Sequence, residues 1–265
     1  MRKDILKSSK RLKKKRFFLK ILFLFVLFLI VCACAVWSLY IPKFRIQNIS
    51  VAGAEILSVE KIITNISDSL KGKYVFIIPK NHILVASKKE IIENLLNSFP
   101  RIKDVSLEKD FPNSLSIKIK ERKSEALLCA EDSPLGECAY VDEDGFVFEK
   151  APYFSGEIFL KFFDERDVGN LVSDRQLLPE EQFKGLVDFK NYLFKENIKI
   201  LIINLKEDGI YELQTGESWV ILLNERNNFR IAFENLKTAL DFSIKENQKK
   251  LEYIDLRFGN KVFYK

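Results

Sequence analysis

Apolar positions recur along the chain in three different rhythms. From Ile21 to Trp37 the run ILFLFVLFLIVCACAVW is apolar without a break, and it continues through Ser38, Leu39, Tyr40 and Ile41. At ~1.5 Å per helical residue this stretch covers roughly 31 Å, close to the ~30 Å hydrocarbon layer of a bilayer. It predicts a transmembrane helix over residues 21–41.

From residue 44 to 123 the rhythm switches between helical and strand periods. Phe44 to Val51 reads as a strand closed by Gly53. In Ser58 to Leu70, the residues Val59, Ile62, Ile63, Ile66 and Leu70 form one helical stripe behind an N-capping Ser58, and Gly72 ends it. Tyr74 to Ile78 is apolar as far as Pro79. Ser87-Lys88-Lys89-Glu90 is a capping box that opens a second helix with Ile91, Ile92, Leu95, Leu96 and Phe99 inward, stopped by Pro100. Val105 and Leu107, then Leu115, Ile117 and Ile119, alternate with polar residues on either side of the turn Phe111-Pro112-Asn113. The order is β-α-α-β-β, and two helices on one face of a three-stranded sheet would remove every apolar stripe from water.

Residues 124–265 read mainly as strands. Val141 to Phe146 is a hairpin with Asp144-Gly145 at its turn. Glu180 to Glu196 predicts a helix burying Phe183, Leu186, Val187, Leu193 and Phe194, interrupted by Gly185. Ile198 to Leu205 is nearly continuous apolar strand, as expected at a sheet centre. Ile210 to Gln214 and Trp219 to Leu223 form a hairpin. Phe229 to Lys245 returns to helical spacing through Ala232, Phe233, Leu236 and Leu240, and Leu251 to Arg257 and Val262 to Tyr264 are strands around Phe258-Gly259-Asn260.

Charge changes this picture at one end only. The formal net charge is +6, yet Met1 to Lys20 carries ten Lys or Arg against the single Asp4, leaving the rest of the chain slightly acidic. A nucleic-acid binder would spread its cations over a folded face, so no nucleic-acid partner is expected. The tail, residues 1–20, instead places the N-terminus in the cytoplasm and the later residues outside, with Trp37 and Tyr40 in the aromatic belt and anionic lipid as the tail's partner. A cleaved signal peptide is the alternative, because Ala33-Cys34-Ala35 has the small-x-small form, although the apolar run outlasts an ordinary signal core. Neither Cys32 nor Cys34 follows a well-formed lipobox.

Outside the membrane, Cys129 and Cys138 are expected to form a disulfide rather than a metal pair. Val141 to Phe146 supplies too few oxygen ligands for calcium. The one imidazole, His82, reads as structural or solvated. There is no phosphate-cradling Gly-rich loop and no H-E-x-x-H, so no catalytic residue, metal, cofactor or small-molecule substrate is expected. The final ribbon Val262-Phe263-Tyr264, poor in charge, reads as a sheet edge open to a partner strand, the alternative being that these side chains complete the core.

Several motifs carry a family resemblance. In residues 44–123 they are Ile49-Ser50-Val51-Ala52-Gly53, Phe99-Pro100 followed by Val105, Phe111-Pro112-Asn113-Ser114-Leu115 with Ile117, and Glu121-Arg122 with Ala126 just beyond. In residues 124–265 they are Val141-Asp142, Gly145, Val147-Phe148, Trp219-Val220-Ile221-Leu222, Leu236, and the ending Tyr253-Ile254-Asp255-Leu256-Arg257-Phe258. The chain resembles the bacterial cell-division proteins of the FtsQ/DivIB family. The resemblance implies an α+β chain with a single N-terminal transmembrane helix, a POTRA domain (β-α-α-β-β), then a mixed β-sheet domain with helices on one side. It departs from the family pattern at Lys123-Ser124, where Pro is common, at Ile102-Lys103, which adds spacing before Val105, and at the cysteine pair. The resemblance further implies a non-enzymatic divisome scaffold at the septum of the cell membrane. Its partners would be FtsB or DivIC and FtsL, bound through Tyr253, Leu256, Arg257, Phe258, Val262, Phe263 and Tyr264. A POTRA-containing transport or envelope-assembly factor, or a secreted or lipid-anchored domain, is the rival reading.

Overall fold

A computed structural model describes residues 2–38, 40–75, 78–130, 137–152, 154, 158–166, 174–244 and 251–265. They form two compact units, Met1–Glu121 and Arg122–Lys265.

The first unit opens with α1 (Arg2–Ser38), one helix that joins the basic tail to the apolar span. Its Phe17–Ser38 portion, 22 residues, is long and apolar enough to cross a membrane. That portion starts before the expected Ile21, because Phe17, Phe18 and Leu19 add apolar length around Lys20, whose long stem lets its ammonium reach the interface. It ends before Tyr40 and Ile41, which lie past the helix.

Next come β1 (Asn48–Ala52), α2 (Val59–Ser69), β2 (Lys73–Tyr74), β3 (Ile78–Pro79), α3 (Lys88–Ser98), β4 (Ile102–Asp110) and β5 (Ser114–Glu121). β5 lies between β1, to which it is parallel, and β4, to which it is antiparallel. The strand expected from Phe44 begins only at Asn48, since Pro42–Phe44 is a short 3-10 turn and Arg45 makes one isolated bridge to His82. Ser58 and Ser87 cap α2 and α3 by accepting the amides of Lys61 and Glu90. The box at Ser87 is half built, because the Glu90 carboxylate turns to the Tyr74 hydroxyl and the Lys80 ammonium. Ile62, Ile66, Ile91 and Leu95 pack on Leu107, Leu115 and Ile117, the arrangement that the two stripes require. The Glu121 carboxylate accepts amide bonds from Glu55, Ile56 and Leu57 at 2.9 to 3.1 Å, fixing the loop that leads into α2.

The second unit runs β6 (Ser124–Cys129), β7 (Cys138–Asp142), β8 (Phe146–Ala151), β9 (Leu160–Asp164), β10 (Arg175–Gln176), α4 (Glu180–Lys195), β11 (Ile200–Leu205), β12 (Ile210–Thr215), β13 (Val220–Asn224), α5 (Phe229–Thr238), β14 (Tyr253–Phe258) and β15 (Lys261–Tyr264). They make one ten-stranded sheet in the order β10-β8-β7-β6-β9-β11-β12-β13-β14-β15. β9 is parallel to both β6 and β11, and β13 to β14, so the sheet is mixed. The helix expected over Phe229 to Lys245 is α-helical to Thr238 and continues as wider π turns from Ala239 to Ile244, with Lys245 outside the described residues.

One sheet face carries the main core under α4 and α5, built on Phe162, Phe183, Phe189, Tyr211 and Trp219. The α4 stripe is Phe183, Leu186, Phe189 and Leu193, whereas Phe194, expected inward, is 66% exposed. Gly185 is not an interruption. A Cβ there would lie 2.4 Å from the Phe229 ring, so the missing side chain is what lets α4 and α5 approach. The other face carries a small cluster of Leu127, Cys129, Cys138 and Ala151 beneath Tyr140, Phe154, Phe159 and Phe163. Cys129 and Cys138 face each other across β6 and β7 and are disulfide-bonded, as expected.

At the start of this sheet, Asp142 is fully buried. It accepts bonds from Arg122 Nη1 at 2.6 Å and from the amides of Asp144 and Phe146, so the acidic turn closes on its own carboxylate. Gly145 supplies the positive φ of the turn, 82°. His82 is 2% exposed and accepts the Leu84 amide at Nδ1, and is therefore structural; burial, then the Lys109 charge, lower its pKa.

Candidate functional site

The hairpin β14–β15 ends the sheet. Its turn is possible because Gly259 takes φ 66°. Alternation divides β14: Ile254 and Leu256 face the core, and Tyr253, Asp255 and Arg257 face the other way. Being two apart on one face, Asp255 and Arg257 form a fork, Nε to Oδ1 at 2.9 Å and Nη2 to Oδ2 at 2.6 Å, with the Arg257 amide also donating to Oδ1. Burial pushes the Asp255 carboxyl up, but the bonds from Arg257 outweigh it and hold the group below its ordinary value. Arg257 also lies over the Phe258 ring at 5.5 Å, and Phe258 meets Phe263 edge-on at 5.5 Å.

Beyond Asp255, β14 leaves its parallel pairing with β13, and asparagine amides take over. Asn227 Nδ2 donates to the Leu256 carbonyl at 3.0 Å, Asn224 Nδ2 to Arg257 at 3.3 Å and Asn235 Nδ2 to Gly259 at 3.1 Å. Sequence reasoning missed these three. Asn224 and Asn227 have a local sign in the Asn-rich stretch 224–228, whose Asn228 caps α5, whereas Asn235 sits inside that helix with none.

Among the described strands, β15 pairs with β14 alone. Lys265 and Tyr253 exchange backbone bonds, so by antiparallel alternation the Tyr264 amide and carbonyl point away from β14, toward any incoming strand. Of the expected docking residues, Phe258, Phe263 and Tyr264 are exposed at 56%, 50% and 48%, and Tyr253 and Arg257 are half-buried. Val262 packs against the main core. Leu256 is 1% exposed. Leu256 is thus corrected from a contact to an anchor, since its place in the alternation points it under the sheet.

The opposite margin is built otherwise. β10 is two residues long, and the Gln176 side-chain amide donates to the carbonyls of Asp144 and Leu178. Among the described residues no group of three or more His, Cys, Asp or Glu is arranged to hold a metal ion.

Comparison with known proteins agrees with this architecture. Residues 44–122 match the family described as POTRA domain, FtsQ-type. The chain is similar to proteins named cell division protein DivIB from Clostridium botulinum strains Hall and Loch Maree. Each is 26% identical over 278 aligned positions that cover 100% of this chain and 99% of the relative. A DivIB from Clostridium acetobutylicum is 28% identical over 49% of this chain and 47% of its own length.

Proposed function

The chain is a member of the FtsQ/DivIB family, and we propose that it works as a non-enzymatic scaffold of the divisome, gathering other septal membrane proteins outside the cytoplasm. Its coarse identity, a single-pass membrane protein of cell division, is the premise. The observation that carries the finer reading is the β15 edge, whose outward backbone groups at Tyr264 are flanked by exposed Phe258 and Phe263. An edge of this kind recruits a strand: main-chain bonds supply affinity and alternate side chains supply selection. The family resemblance supports partners of the FtsB or DivIC and FtsL types. Partners anchored in the same bilayer meet at high effective concentration, so modest strand contacts suffice. The ten cations of the tail support a cytoplasmic N-terminus, with residues 44–265 outside.

The test is capture of co-expressed FtsL- and DivIC-type partners by the full chain. Tyr264→Pro removes an outward N–H while sparing the bonds to β14, and Phe263→Glu charges the edge. Both should lose the partners, while Phe194→Glu on the exposed side of α4 should retain them. Retention by both edge variants would overturn the reading. Charge reversal at Arg257 is a poor probe, because it strands the buried Asp255.

A further inference from the structure

Three exposed apolar side chains lie on three separate connections of the first unit, each of which touches the segment that leaves α1. Phe111, 66% exposed at the β4–β5 turn, has its ring 5.4 Å from Phe44. Leu84, 71% exposed, follows Ile83, whose amide donates to the Phe44 carbonyl. Val75, 79% exposed, follows β2, whose Lys73 ammonium lies 5.6 Å from the Tyr40 ring. Val75 keeps φ at 47°, a costly value for a β-branched residue, while turning its side chain to solvent.

The segment has no slack. Tyr40 donates to Trp37, Ile41 to Ser38, Phe44 to Ile41 and Arg45 to Pro42, so the described residues from Tyr40 to Arg45 are held in successive hydrogen-bonded turns. Even fully extended, the six steps from Ser38 to Phe44 reach only about 22 Å. Lys43 is in the segment itself, Lys73 lies by Tyr40, the Lys109 ammonium donates to the Leu84 carbonyl with Lys88 close by, and Asp110 is the acidic neighbour of Phe111 in sequence.

We propose that this rim of the POTRA domain lies in the headgroup layer of the bilayer crossed by α1, with Phe111, Leu84 and Val75 at the acyl boundary and the lysines on anionic lipid phosphates. Apolar side chains with flanking cations, tethered at the surface, are the chemistry of interfacial binding. The proposal rests on α1 as a membrane span, and the test separates the two. Full chain is reconstituted in phosphatidylglycerol–phosphatidylethanolamine vesicles carrying brominated acyl chains. Trp37 reports the span. With Trp37→Phe, the remaining indole, Trp219, is 1% exposed, and Phe111→Trp, Leu84→Trp and Ile56→Trp are read one at a time.

Emission from Phe111→Trp and Leu84→Trp should shift to the blue and be lost to bromine, and weaken in phosphatidylcholine vesicles. Ile56→Trp, on the loop held by Glu121, should stay bright. Quenching of Trp37 without quenching at position 111 would overturn the proposal and leave the span standing. Equal quenching at position 56 would overturn it too, as would loss of emission only when a partner protein is added.

Discussion

The two margins of the ten-stranded sheet are opposite answers to one physical problem, the unpaired backbone of an outer strand. At the β10 margin the strand is cut to two residues and Gln176 bonds back to the carbonyls of Asp144 and Leu178. The neighbouring β7 and β6 are held by a buried ion pair, a disulfide and a layer of aromatic rings. At the β15 margin the described residues place neither disulfide nor aromatic layer, and Phe263 and Tyr264 stand half in water. The asparagine amides that pin the hairpin act on β14 and the turn, so the outer strand is positioned without being covered. A sheet that guards one margin closely and fixes the other as an open edge would, on the proposed function, separate stability from recognition.

The sharpest way to break that contrast is at Arg122. Arg122→Ala leaves the fully buried Asp142 without its cation, and breaking such a pair costs about 3 to 5 kcal/mol. Thermal unfolding of the second unit should fall markedly while the first unit holds, which differential calorimetry can resolve. Next in size is the double change Cys129→Ser with Cys138→Ser. Opening so short a loop should cost roughly 2 to 3 kcal/mol, loosening amide exchange in β6 to β8 while partner capture survives. If capture were lost instead, the two margins would not be separate.

Tyr264→Pro should do the reverse. Its effect on unfolding is expected to stay within about 0.5 kcal/mol, as for a surface substitution, while capture weakens by about tenfold or more, ~1.4 kcal/mol. The smallest effect concerns the Asp255–Arg257 fork. Since the folded Asp255 carboxyl lies below its ordinary 3.8, its contribution is complete above that value and is lost as pH falls through the depressed one. The stability difference between the parent chain and Asp255→Asn should accordingly be constant near neutrality and vanish in strong acid.

What the sequence made legible was local. Ser58, Ser87, the Gly145 turn and the final hairpin all follow from residues within a few positions of one another. Strand β6 shows in the sequence only through its cysteine, because Ala126 to Cys129 is buried on both faces and has no period of two. Strand β9 escaped notice because Leu160–Asp164 is short, and its neighbours β6 and β11 are remote in sequence. The expected stripe of α4 includes Phe194 and omits Phe189, and treats Gly185 as a break. In the fold it is a contact with α5, and the regular stripe runs on through Phe189. At the site, exposed aromatics could be anticipated, but the inward turn of Leu256 and the reach of Asn224, Asn227 and Asn235 depend on how β14 passes β13.

The aromatic layer over Cys129 and Cys138 also sets the crosslink's chemistry in time. Both cysteines are under a tenth exposed, with Tyr140, Phe154 and Phe159 packed on their cluster. Exchange needs a thiolate to reach a sulfur in line with the bond, and here those rings must part first. The lifetime of the link in a reducing medium is therefore that of a local opening of the sheet, so reductant concentration should cease to matter once opening becomes the slow step.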